Sequence, residues 1–432
     1  MDWSVGIGVL LVAITVIPYV WFVKARERKN QRAFERSEKA GLNEPPSLHP
    51  VINPNACLCS GGCIQACPEK DVLGFVGGKS QLINASRCIG HGACAEACPV
   101  DAIQLVFGTE TRGVDIPEVS PQFETNIPNL HIVGELGGMG LIRNAVTQGR
   151  QAVEYIAQKK QGLKLGVLDV VIVGAGPAGL SASLEAMRLG LRFVTVDQGE
   201  IGGAIRHYPR RKLVMTHPMD IPLYGKVNSQ EMFKEELVDL WDQIVRETGL
   251  EVQTYCKVNH VEKTEGIFEV QTDKEVYRAK HVVLAIGRRG TPRKLNVPGE
   301  DLPKVAYSLL EPEQFQGMPL LVVGGGDSAL EAACALAEEP GNKVTLSYRR
   351  DRFERPREEV RERLLALSSE GKMKVAFSSQ VVSITEGEVV LEQKGKHLKI
   401  RNDQVFVFSG GELPTGFLKK IGVSVETKFG SV

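Results

Sequence analysis

No formal charge falls between Trp3 and Val23, and most side chains in that run are apolar. At about 1.5 Å per residue the pattern predicts a helix just long enough for a hydrocarbon core of about 30 Å. Trp3 at one end, and Tyr19 and Trp21 at the other, suit the two interfaces. Lys24, Arg26, Arg28, Lys29, Arg32 and Arg36 follow, and Asp2 is the only charge ahead of the run. This asymmetry predicts a single transmembrane helix in the inner (cytoplasmic) membrane, touching lipid, with the body of the chain on the cytoplasmic side. A cleaved leader would need a basic start and a small-residue cleavage site, and neither is present. The polar stretch with Pro45, Pro46, Pro50 and Pro54 reads as a tether. Farther on the pattern changes. Short apolar runs at Asp169–Val173, Arg192–Val196, Pro319–Val323 and Val344–Leu346 alternate with glycine-rich turns and helical periodicity. That order predicts an α/β fold.

Composition narrows the function classes. The chain has 432 residues, 43% hydrophobic and 24% charged, enough apolar mass to exclude disorder as the main state. Its 52 Lys and Arg balance 52 Asp and Glu, so nothing points to nucleic acid. Nine cysteines are present, and seven of them fall between Cys57 and Cys98. Such clustering speaks for a local metal site and against a dispersed disulfide framework.

Those seven belong to an internal repeat. The first copy is Cys57-Leu-Cys59-Ser-Gly-Gly-Cys63-Ile-Gln-Ala-Cys67-Pro68; the second is Cys88-Ile-Gly-His91-Gly-Ala-Cys94-Ala-Glu-Ala-Cys98-Pro99. A cubane needs four soft ligands, and small residues between them let the loop wrap it. The pair resembles the bacterial two-cluster ferredoxin run C-x₂-C-x₂-C-x₃-C-P. That resemblance implies a small α+β domain in which the fourth cysteine of each run serves the other cluster. One 4Fe–4S cluster would then take Cys57, Cys59, Cys63 and Cys98, and the second Cys88, His91, Cys94 and Cys67. Both runs depart from the pattern: Ser60 stands at the second-cysteine position of the first, and His91 at that of the second. His91 either ligates iron or leaves a three-iron cluster. Zinc fits the Cys-Pro endings and tandem runs less well.

Two dinucleotide fingerprints follow. The first strand runs into Gly174-Ala-Gly176-Pro-Ala-Gly179 and a helix, and the next strand ends at Asp197, an acceptor for ribose hydroxyls. The second turn is Gly324-Gly-Gly326-Asp327-Ser328-Ala329. Arg349 and Arg350 follow its second strand in place of an acid, which favours a 2′-phosphate and hence NADPH.

Two such folds in one chain resemble the FAD- and NAD(P)-dependent flavoproteins of the thioredoxin-reductase-like and ferredoxin–NADP-reductase-like branch. Leu284-Ala-Ile-Gly287, the second glycine turn, Tyr348-Arg-Arg-Asp351 and Phe408-Ser-Gly-Gly411 with Pro414 carry the resemblance. It implies FAD on the first fold and NADPH on the second. These flavoproteins close with a strand ending in Gly-Asp and a helix over the flavin. Here Asn126-Ile-Pro-Asn-Leu-His-Ile-Val-Gly134-Glu135 and the helix Leu141 to Val153 resemble that piece, placed ahead of the first strand. A circularly permuted FAD domain is therefore expected, with Glu135 in the Asp position. The resulting layout is 1–23 anchor, 24–53 basic and proline-rich linker, 54–107 two-cluster ferredoxin-like domain and 108–160 displaced closing segment. FAD-binding (168–290) and NADPH-binding (291–408) domains follow, then a return into the FAD domain (409–432).

The C-x-x-C of thioredoxin reductases is absent from the NADPH fold. His207-Tyr-Pro209 after Gly202-Gly203 resembles bacillithiol-disulfide-reductase-like proteins. The leading expectation is an enzyme moving electrons between NADPH and a one-electron acceptor through FAD and the clusters. No side-chain acid or base is assigned. The expected partner is a membrane-associated redox protein or quinone-linked complex, and a homodimer is expected. The rivals are a small-disulfide reductase with an accessory ferredoxin domain and a non-catalytic redox sensor.

Overall fold

The computed structural model describes residues 3–39, 45, 48–69, 71–88, 90, 92–110, 113–138, 140–159, 166–208, 213–215, 218–229, 231–288, 290–353, 356, 358–412 and 414–430. It divides into two compact units, one of Met1–Val114 with Lys428–Val432 and one of Asp115–Thr427.

The first unit opens with one continuous helix, Trp3–Lys39. Among the described residues no helix is long and apolar enough to cross a membrane. The expected transmembrane helix, the inner-membrane placement and the lipid contact deduced from it are corrected accordingly. The basic stretch after Val23, expected to begin a linker, continues the helix to Lys39 and packs against the cysteine-bearing module. Asn30 Nδ2 donates to the Phe75 carbonyl at 3.3 Å, and Glu27 accepts the Gly78 amide at 2.9 Å. Gly74 makes this approach feasible, since a Cβ there would stand 2.8 Å from the Asn30 amide.

Within that module His49–Ile52 pairs antiparallel with Ile103–Val106. Leu73–Val76 and Lys79–Leu82 form a hairpin. Its two-residue turn is Gly77-Gly78, both at positive φ, as such hairpins need. The repeat seen in the sequence recurs in three dimensions. Left-handed Gly61 and Gly92 each start a short helical turn, Gly62–Ala66 and Ala93–Glu96, burying Cys63 and Cys94.

Among the described residues the two largest sheets of the second unit have six and five strands. In the first, Val276–Leu284 lies between Leu168–Val173, parallel to it, and Ile267–Thr272, antiparallel to it. Phe193–Val196 and Val258–Thr264 extend the two sides. Val170 to Ile172 are fully buried, as expected of a parallel strand covered on both faces. Leu130–Ile132 joins the same sheet, parallel to Val282–Leu284. The helix after it, Ile142–Gln158, packs on the helix of the first glycine turn, Pro177–Arg188. A Cβ at Gly149 would stand 2.1 Å from the Ala178 carbonyl, so only glycine allows this approach. Ser181 Oγ completes it by donating to the Val146 carbonyl at 2.7 Å.

The second sheet is parallel throughout, in the order Val305–Ala306, Gln404–Phe408, Pro319–Gly324, Lys343–Tyr348, Met373–Phe377. An antiparallel meander, Ser379–Arg401, accompanies it. The chain enters and leaves this half side by side, Thr291–Pro292 pairing with Gly411–Glu412.

Two histidines are buried where Leu130–Ile132 meets Val276–Leu284. His131 and His281 stack with ring centroids 5.8 Å apart. His131 Nε2 and His281 Nδ1 have no hydrogen-bond partner among the described residues. Burial pulls both down to about 4. The unfolded chain therefore takes up protons near pH 6.5, before the folded one does. Stability should be full above that pH and fall between 6.5 and 4, by up to roughly 1.4 kcal/mol per pH unit for each histidine. Thermal unfolding between pH 7 and 4.5 checks this, and the profile of a His131→Phe/His281→Phe variant should be flatter.

Candidate functional site: cysteine cavities and nucleotide turns

The seven clustered cysteines line two cavities. The first is walled by Cys57, Cys59, Cys63 and Cys98, with Ser80 and Ala102. The second is walled by Cys67, Cys88 and Cys94, with Glu69 and Leu105. His91 lies outside the described residues. The fourth cysteine of each run thus lines the cavity of the other run. Among the described residues no three such groups converge tightly enough for a single metal ion. The cysteine sulfurs walling each cavity are the soft donors that an iron–sulfur cluster takes.

Two neighbouring thiols of the first cavity shift in opposite directions, Cys59 upward through burial and the nearby Cys57. Burial raises the Cys57 thiol too, but the Ser80 and Cys59 backbone amides and the Lys79 charge bring it below the ordinary value. Lys79 Nζ donates to the Cys57 carbonyl at 3.0 Å. Cys59 takes a left-handed φ of 57°, and its Sγ donates to the Gly78 carbonyl at 2.7 Å. In the second cavity burial pushes Cys67 and Cys94 up to about 11 and raises Cys88, with Glu69 adding to the rise at Cys67 and Cys88.

At the first glycine turn, steric necessity explains two of the three glycines. Gly174 has φ +109°, and a Cβ there would meet the Ala285 carbonyl at 2.4 Å. One at Gly179 would stand 1.8 Å from the Gly174 carbonyl. Gly176, by contrast, faces open space, and the helix Pro177–Arg188 starts directly after it. A bare backbone at a helix N-terminus beside an open space is a pyrophosphate seat. Asp197 is held at the turn, accepting the Ala175 amide at 2.5 Å and the Gly199 amide at 2.7 Å. Gly202 N–H donates to the Ala175 carbonyl at 2.9 Å, which brings the Gly203–His207 turn over the same loop.

Besides Phe193–Val196, which ends at Asp197, three parallel strands end on this edge of the sheet. Leu168–Val173 ends at Gly174, Val276–Leu284 runs on to Gly287, and Leu130–Ile132 runs on to Gly134 and Glu135. Gly134 has φ +80°, and its amide donates to Gln148 Oε1 at 2.8 Å. Glu135 is exposed beside it. Sequence reasoning missed Arg288, next to Gly287. Burial pulls its guanidinium below the ordinary value, and Glu135 and Asp115 oppose that shift. A lone arginine after a glycine carries no local signal, so only the strand pairing reveals it.

The second turn repeats the first. Gly324 has φ +149°, and a Cβ there would stand 2.5 Å from the Phe408 carbonyl. Gly326 faces open space and caps the helix Asp327–Glu338, whose first turn carries Ser328 and Ala329. Gly325 lies under the Tyr348 ring. Arg349 is exposed and Arg350 half-buried directly after the adjoining strand. Cys256 and Cys334 are buried in different cores, so neither offers a dithiol.

Two dinucleotide folds with open glycine turns, in one chain with a module of two cysteine-walled cavities, define a flavin- and pyridine-nucleotide-linked oxidoreductase with iron–sulfur centres. The pyridine nucleotide-disulphide oxidoreductase family model matches residues 171–430, more than half of the chain, and the chain belongs to that family. A 4Fe-4S dicluster domain model matches residues 49–99. Bacilliredoxin reductase of Bacillus subtilis is 29% identical over 267 residues, 60% of this chain and 82% of that protein. The ferredoxin–NADP reductase of Ignicoccus hospitalis is 28% identical over 269 residues, 60% and 83% of the two chains. The solved bacillithiol disulfide reductase of Bacillus cereus superposes with a TM-score of 0.52 at 29% identity, covering 59% of this chain and 81% of that one. FAD, NADPH and iron–sulfur clusters are its cofactors, as expected from the sequence.

Proposed function

We propose that the protein exchanges electrons between NADPH and a one-electron acceptor, with the clusters on the path. The observation that carries this reading is the pair of cysteine-walled cavities in a chain whose other two thiols are buried apart. Direct reduction of a small disulfide needs no such centres. When bound, FAD can take a hydride from NADPH and release electrons singly to iron–sulfur clusters. The chain's own part is binding and positioning. Gly174, Gly176, Gly179 and Asp197 hold the FAD dinucleotide, with Gly134, Glu135 and Gly287 at the same strand ends. Gly324, Gly326, Asp327, Ser328 and Ala329 hold NADPH. Cys57, Cys59, Cys63 and Cys98 hold the first cluster; Cys67, Cys88, Cys94 and His91 hold the second.

The small-disulfide reading draws on the names of the Bacillus relatives. Anaerobic stopped-flow separates the two. The proposed path requires NADPH to bleach the flavin first and the clusters next, with turnover of one-electron acceptors. Turnover of bacillithiol disulfide with the clusters left oxidised would sink it.

Cofactor choice belongs to the same proposal. Pairing of Arg349 and Arg350 with a 2′-phosphate should favour NADPH by about 1.5–3 kcal/mol, roughly ten- to a hundredfold. An Arg349→Ala/Arg350→Ala variant should lose most of that preference in kcat/KM. Equal use of NADH by the unmodified protein would count against the assignment.

The FAD domain is read as circularly permuted. Parallel pairing of Leu130–Ile132 with Val282–Leu284, and the Gly149 contact with Ala178, support this. So does the coverage: residues 100–170 fall between the two matched ranges, and 18% of the Bacillus subtilis relative is unmatched.

A further inference from the structure

We propose that Ser80 tunes the reduction potential of the first cluster by donating its hydroxyl hydrogen to the Cys63 sulfur; the inference rests on the assignment of Cys57, Cys59, Cys63 and Cys98 to that cluster.

Ser80 lies on the second strand of the hairpin, Lys79–Leu82, with only 4% of its surface exposed. Its Oγ is 3.1 Å from Cys63 Sγ, itself 7% exposed. Both atoms belong to the wall of the first cavity. An iron-bound sulfur has no proton and can only accept, so the hydroxyl becomes the donor. The same residue offers its backbone amide to Cys57. One strand residue therefore reaches two of the four sulfurs, from the side where Lys79 adds positive charge. Among the described residues the lining of the second cavity includes Glu69 and no hydroxyl or amide side chain.

A reduced cluster carries one more negative charge than an oxidised one. A hydrogen bond to a ligating sulfur stabilises the reduced form more and raises the potential. At the second site the described lining supplies Glu69 in place of such a donor. Ser80 is a positioning residue on this view. It binds no iron and touches no substrate.

The experiment is an anaerobic EPR-monitored redox titration of the full-length reconstituted protein, with iron content measured alongside. Iron near zero, or clusters that both survive Cys63→Ser, would remove the ligand assignment itself. With that assignment intact, Ser80→Val should lower the midpoint potential of the cluster that Cys63→Ser destroys. The other cluster and the flavin should keep theirs. Ser80→Thr fills the same volume and restores the hydroxyl, so its potential should return to that of the unmodified protein. Loss of the cluster in the Val variant alone, with the Thr variant unshifted, would likewise support the hydroxyl. Equal potentials in the Val and Thr variants, equal shifts in both clusters, or loss of the cluster in both variants would overturn the proposal.

Discussion

Replacing Cys63 by serine should cut electron transfer to a one-electron acceptor by roughly a hundredfold or more, while NADPH still bleaches the flavin. Cys63 is buried in the wall of the first cavity, presented by the short helical turn Gly62–Ala66. That turn leaves little freedom to compensate, because a Cβ on Gly62 would already stand 2.9 Å from the Ala97 carbonyl. A serine oxygen is a harder donor than a thiolate and suits iron–sulfur chemistry poorly. Even changes one shell away from a metal cost ten- to a hundredfold, so a lost ligand should cost at least the upper figure. Cys98→Ser should behave in the same way although it lies in the other run, since both line one cavity. Stopped-flow absorbance at the flavin band, alongside turnover with a soluble one-electron acceptor, gives both readouts. Full transfer to the acceptor in the Cys63 variant would take the clusters off the path and favour the disulfide reading.

A fragment running from Leu168 to Val432 should fail to hold FAD. It lacks Leu130, Ile132, Val146, Val153 and Ile156, each at most 2% exposed. At about 1.5–3 kcal/mol per buried side chain, their removal costs roughly 8–15 kcal/mol. That is comparable with the whole stability of a typical domain. The fragment also exposes the edge of Val282–Leu284 and the Ala178 face of the first-turn helix. Supplying residues 108–160 as a separate chain should restore flavin retention in part. Gly149→Val in the intact protein should have a milder version of the defect, because its side chain would collide with the Ala178 carbonyl. Flavin-to-protein ratio after gel filtration measures all three. A fragment that keeps FAD as firmly as the whole chain would end the permutation proposal.

The comparison of sequence and structure turns on how far apart the interacting residues lie. Gly174, Gly176 and Gly179 were legible because the turn, its strand and its helix are contiguous. The backbone there obeys local rules: a positive φ at Gly174, contacts no Cβ could occupy, and an open face at Gly176. The cysteine runs were legible for a similar reason, since ligand spacing within a loop is a local property. The N-terminal helix shows the limit of such reading. Its uncharged start predicted a membrane span, yet among the described residues no helix is long and apolar enough to cross one, and the second half of Trp3–Lys39 lies on the Leu73–Leu82 hairpin through Asn30 and Glu27. Hydropathy registers apolar length but not the hydrogen bonds that occupy a helix's polar side.

What the chain determined by itself, then, was a set of local devices: two nucleotide turns, two cysteine runs, and the arginines after the second turn. Tertiary structure decided which devices work together. It set Leu130–Ile132 beside Val282–Leu284, more than a hundred residues away in the chain. It placed Arg288 by Glu135, and paired Ser80 with Cys63 across a hairpin. No spacing encodes these pairs. They follow from sheet register and from glycines such as Gly149, where a missing side chain lets two backbones close.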